Sequence, residues 1–172
     1  MAHEIYVRTN QKVYFAGLAL AGWQRAQAQP AADSQAQIHA AREATLFHLY
    51  GALLSLCHEI AGYYRLNCAG ESQVERFLNP QTLAAEPAAE LGELHELFIQ
   101  PDSWLAQLVA AYDALFQPPQ APRTAKLDPG LALIQATSLE EGPEPLSRES
   151  LESWRQQLKD VALRFRESMS EY

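Results

Sequence analysis

Apolar residues recur at three- and four-residue spacing along most of this chain, which predicts an all-α protein: a helical bundle built around one long central helix. That helix occupies about residues 34–66, within the stretch Asp33 to Gly70, and runs for about nine turns. At about 100° per residue, Ser55, Glu59, Ala52, Gly62 and Gly51 fall within about 60° of His48, forming a small or polar stripe. Opposite lie Leu46, Leu49, Tyr50, Leu53, Cys57, Ile60 and Tyr64, and Leu54, Leu56 and Ala61 widen that face beyond what a surface helix needs. Upstream the apolar sector rotates to Ile38, Ala41, Thr45 and Leu49. The second half of the helix is therefore expected in the middle of the bundle, wrapped by further helices or by another chain.

The remaining elements follow from the same periodicity and its breaks. Residues 3–29 predict a first helix with Tyr6, Val13, Gly17 and Leu20 in one row and Thr9, Ala16 and Trp23 beside it. Its glycines, Gly17 and Gly22, are expected to let it approach the Gly51/Ala52/Gly62 stripe in an antiparallel hairpin, with Asp33 or Ser34 as the second helix's cap. A short helical piece, ESQVERFL, is stopped by Asn79-Pro80, and a further helix is predicted with Pro87 in its first turn. Asp102 or Ser103 caps the next one, which carries Trp104, Leu105, Leu108, Ala111, Tyr112, Leu115 and Phe116. Residues 118–146 hold Pro118, Pro119, Pro122, Pro129, Pro143 and Pro145 and are expected to be an irregular strap across the core. Ser147 then caps a C-terminal helix whose Leu151, Trp154, Leu158, Val161, Phe165 and Met169 share a side, with Leu146 as a staple. No internal repeat is present, and residues 1–172 are read as a single helical domain.

Composition narrows the class. With 172 residues, 48% of them hydrophobic and 20% charged, the chain has the make-up of a globular protein with a sizeable core. A net charge of −8 speaks against a nucleic-acid footprint. Cys57 and Cys68 form no CxxC pair and read as buried thiols of a cytoplasmic protein. Arg8, Lys12, the run VYFAGLALAGW and Ala26-Gln27-Ala28 have the ingredients of a signal peptide, but the chain is read as cytoplasmic, and no apolar run reaches the ~18 residues of a membrane span.

The charge is unevenly spread. From Leu83 to Gln117 there are six acidic residues and no Lys or Arg, whereas residues 1–30 carry Arg8, Lys12 and Arg25 against Glu4. Glu86, Glu90, Glu93, Glu96 and Asp102 are expected to form one acidic surface, which would steer a basic partner.

Candidate chemistry is sparse. His58-Glu59 and His95-Glu96 suggest metal ligation, but neither a Glu-x-x-His turn nor HExxH occurs, so no metal and no cofactor is expected. Ser55 and Glu59, one turn apart, are placed to bond to each other, without the glycine-flanked elbow of a nucleophilic serine. Arg42 to His48 resembles the Arg-x(4–6)-His motif of the HEPN family, helical proteins that include metal-independent ribonucleases. That resemblance implies that Arg42 and His48 act on a phosphodiester, although the pair lies about 120° apart on an unbroken helix.

The order TNQKVYFAGLAL, then FHLYGALLSLCHEIAGYY, an acidic helical middle and a lone C-terminal helix resembles an uncharacterised family of small all-helical bacterial proteins with no assigned activity. The leading expectation is a non-enzymatic interaction or scaffold protein that binds a protein partner or itself. The alternatives are a HEPN-like ribonuclease and a bundle that binds a small apolar ligand in a cavity lined by aromatic residues.

Overall fold

The computed structural model describes residues 2–118 and 146–170, residues 2–5 by their backbone alone. Among the described residues there are seven α-helices and no strand: α1 (Ala2–Ala28), α2 (Ser34–Tyr64), α3 (Val74–Phe77), α4 (Pro80–Ala85), α5 (Ala89–Phe98), α6 (Trp104–Ala114) and α7 (Arg148–Ser170). A short 3₁₀ turn, Asn67–Gly70, follows α2. No helix among the described residues is long and apolar enough to cross a membrane. The irregular strap expected over 118–146 lies outside the described residues except for its ends, Pro118 and Leu146.

The long hairpin of α1 and α2 is the frame. α1 buries Thr9, Val13, Ala16, Leu20, Trp23 and Ala26, a row spaced to keep one side on the partner helix. The second half of α2 is enclosed nearly all round: α1 and α7 cover one side, and α3, α5 and α6 cover the other. Leu49, Leu53, Leu56 and Ile60 are fully buried there, each worth about 1.5–3 kcal/mol against exposure. Tyr50 stacks flat on Tyr112 of α6 at 3.8 Å, and its hydroxyl donates to Glu75 and accepts the backbone N–H of Val74, pinning α3 to α2. Burial is the main reason that the Tyr50 hydroxyl is held well above its usual pKa.

The ends of the elements show local causes. Asp33 occupies the N-cap position of α2 without a capping bond, while the Ser34 hydroxyl accepts from the N–H of Ala31 at 2.6 Å. α2 ends at Arg65, whose φ of 56° is left-handed, and the N–H of Leu66 reaches back to the carbonyl of Ala61 at 2.8 Å. Asn79-Pro80 does not merely stop α3. Pro80 opens α4, and the Asn79 side chain accepts from the N–H of Thr82, so the pair starts a helix the sequence reading left out. Pro87 lies before the cap of α5 rather than in its first turn. Ser103 caps α6, and Ser147 accepts from the N–H of Ser150 to cap α7.

Two packing expectations are corrected. On α7 the buried row is Leu151, Trp154, Leu158, Ala162, Phe165 and Met169, with Val161 only partly covered. The glycines do not bring the α1 and α2 backbones together as a stripe. A Cβ on Gly17 would stand 2.8 Å from the guanidinium of Arg155, one on Gly51 would meet the stem of Lys12 at 3.3 Å, and Gly62 is exposed. These gaps hold long basic side chains laid across the helices.

Candidate functional site

Glu59, on the enclosed half of α2, is the point where three helices are tied. Its side chain is 0% exposed, and Arg166 of α7 grips both oxygens, Nε to Oε2 at 2.9 Å and Nη2 to Oε1 at 2.8 Å. The remaining arm, Nη1, donates to Oδ1 of Asn10 on α1 at 2.9 Å, and the guanidinium lies over the Tyr6 ring. Ser55 does not bond to Glu59; its hydroxyl turns back to the carbonyl of Gly51 at 2.8 Å. Glu90 of α5 is buried as well, accepting from the hydroxyls of Tyr64 on α2 and Ser168 on α7.

The five acidic positions therefore do not form one surface. Glu90 is inside. Glu86 turns onto the backbone N–H groups of Asn67 and Cys68 at 2.7 and 3.2 Å, and the Asn67 bond above all holds its carboxyl below the usual range. Glu93 is held by both terminal nitrogens of Arg164 on α7, and that hydrogen bonding is the main reason its carboxyl is also shifted down. Only Glu96 and Asp102 of the five keep exposed carboxylates without a bond among the described residues.

Arg42 and His48 face different neighbours. Arg42 donates to the carbonyl of Leu146 at 3.3 Å and spreads its guanidinium over the Trp23 ring. The His48 ring stands edge-on between Phe15 and Phe47, with centroids 5.3 and 5.5 Å away, and its Nδ1 is buried without a partner. Burial, then Lys12 and Arg8, lowers the His48 pKa. His58 and His95 each meet a backbone carbonyl, those of Glu71 and Leu78. No group of three or more metal-type ligands occurs among the described residues.

Two other features stand out at the surface. The first runs along the side of α1 turned away from the core, where Val7, Tyr14 and Leu18 are 50%, 61% and 50% exposed. Phe47 of α2, half exposed, lies at the seam with α1 beneath the ammonium of Lys12 at 4.8 Å. Arg8, Lys12 and Arg25 have no ion pair among the described residues, and burial together with Arg8 lowers the Lys12 pKa. The second is a groove of about 340 Å³ between α1 and α7, walled by Thr9, Val13 and Tyr14 on one side and Lys159, Ala162 and Leu163 on the other. Sequence reasoning missed this groove and the Glu59–Arg166 link. The signal available was the row Arg155, Lys159, Ala162 and Arg166, three- and four-spaced beside the apolar row of α7.

Helices on every side of α2, tied by buried carboxylates, define an all-α helical protein. The whole chain, residues 1–172, matches a family described as "Family of unknown function (DUF6586)", and the chain belongs to that family. This agrees with the resemblance carried by the α1 and α2 sequences. No curated protein and no solved structure matches it.

Proposed function

We propose that this chain is a non-enzymatic interaction protein that docks an acidic, amphipathic helix of a protein partner along the outer side of α1. The observation that carries this reading is the exposed stripe Val7, Tyr14 and Leu18 with Arg8 and Arg25 near it, neither of which makes an ion pair among the described residues. Apolar side chains at 7- and 4-residue spacing offer the contacts that a facing helix fills, and the flanking cations select acidic neighbours for it. A second copy of α1 fits less well, because a twofold contact would set the same cations against each other. The spread of Arg42 and His48 to separate neighbours supports a binding role over phosphodiester chemistry.

A photo-crosslinking residue placed at Leu18, and in a control protein at exposed Gln157 of α7, tests the reading in growing cells. Covalent capture of one acidic protein at position 18 alone, weakened by Arg25→Glu, is the expected result. Equal capture at both positions, or a homodimer that Leu18→Glu dissolves, would reject the proposed partner.

A further inference from the structure

The geometry points to the outer side of α1 as one strand of a two-helix coiled coil, its partner a helix of another protein with apolar residues at heptad spacing and a carboxylate at each end of that row. This deepens the reading given above and rests on it. The first observation is a repeat. The side of α1 that packs into the bundle is the row Thr9, Val13, Ala16, Leu20 and Trp23, spaced 4, 3, 4 and 3. The residues two places before each of these, Val7, Gln11, Tyr14, Leu18 and Ala21, repeat that spacing. Two residues are about 200° of helix, so the second row runs along the opposite side.

α1 therefore carries two seams of one period, and only the inner one is covered among the described residues. In the outer row Val7, Gln11, Tyr14 and Leu18 are exposed and Ala21 is partly covered. A period of about 3.5 residues is what a facing helix needs, because it keeps the row on the partner as the two wind around each other. From Val7 to Ala21 the row runs for about 21 Å at about 1.5 Å per residue, a length that suits a helix rather than a small molecule.

The second observation is where the charge falls. Arg25 continues the outer row four residues beyond Ala21, and its guanidinium reaches back over Gly22, where an added Cβ would stand 3.8 Å from Nη2. Arg8 lies beside the start of the row and donates to Oε1 of Gln11 at 2.7 Å, which holds it there. A polar residue in a coiled-coil seam fixes the register of the two helices, and Arg25 takes that role here. The facing helix thus needs a carboxylate at Arg25 and another about 17 residues away at Arg8. A second copy of α1 supplies neither, because no Asp or Glu lies between Arg8 and Arg25.

A photo-crosslinking residue moved along α1 of the full chain, one position per protein, reads the contact in growing cells. Positions 7, 14, 18 and 21 are expected to capture one protein, and positions 19 and 24, on either flank of the row, to capture it about fivefold less. Mass mapping of the captured segment should show apolar residues at 3- and 4-residue spacing and an Asp or Glu facing Arg25. Arg25→Glu should cut capture at position 18 about fivefold, and changing the mapped carboxylate to lysine should restore it. Equal capture at 19 and 24, a captured segment that lacks the repeat or the carboxylate, or a charge exchange that restores nothing overturns the coiled coil. Capture of an acidic protein at position 18 then still keeps the docking itself. No capture at position 18, or capture of a second copy of this chain, overturns both.

Discussion

Arg166 and Glu59, 107 residues apart, form a two-pronged ion pair in which the Glu59 side chain is wholly enclosed and the Arg166 side chain is 18% exposed. Removing one partner leaves a charge in a site built for two. Arg166→Met is expected to cost about 3–5 kcal/mol, and the double change Arg166→Met with Glu59→Leu to recover much of that loss. Urea unfolding of the two single variants and the double variant measures the coupling. Additive losses would show that the pair does not act as a unit.

The surface pair of Glu93 and Arg164 predicts an acid-side effect. The carboxyl of Glu93 lies below its ordinary range in the folded chain, so its contribution is present above the unfolded pKa of about 4.3 and is lost as pH falls through the lower folded value. Melting temperatures between about pH 6 and about pH 3 should fall less steeply for Glu93→Gln than for the parent. Parallel curves would mean that the pair carries no pH-linked stability.

His48 predicts a drop in stability nearer neutrality. Its folded pKa is lowered by burial and by Lys12 and Arg8, so the unfolded imidazole takes a proton first, at about pH 6.5. Stability is therefore lost as pH falls below that point until the folded pKa is passed. His48→Phe, which keeps the contacts with Phe15 and Phe47, should remove this step in melting temperature. An NMR titration of His48 with a midpoint at or above about 6.5 would contradict it.

Arg65 sits in the left-handed region at φ 56°, at the end of α2. The helix end asks for a residue without a Cβ, and no hydrogen bond of the arginine side chain is present among the described residues. Arg65→Gly is expected to stabilise by about 1 kcal/mol, read as a rise in the urea midpoint with an unchanged slope.

Much of the bundle was legible because helix burial follows a simple period: the enclosed half of α2, the hairpin with α1 and the cap at Ser147 all follow from spacing and end residues. What spacing does not carry is the identity of the neighbour. Glu59 reads as one of a polar stripe, and nothing local says that Arg166 will come to it. Glu90 looks like part of an acidic face because one helix turn cannot reveal that Tyr64 and Ser168 enclose it. Val161 and Ala162 differ by one position, and the tilt of α7 on the hairpin, invisible in sequence, decides between them.

The room beside Gly17 and Gly51, filled by Arg155 and Lys12, bears on how the family can diverge. Position 17 is coupled to position 155, and position 51 to position 12, by volume rather than by charge. A larger residue at 17 is accommodated when 155 shortens, and the same exchange links 51 with 12. Across related sequences, each pair should drift together. Position 155 thus reports on the history of a helix that begins far from it along the chain.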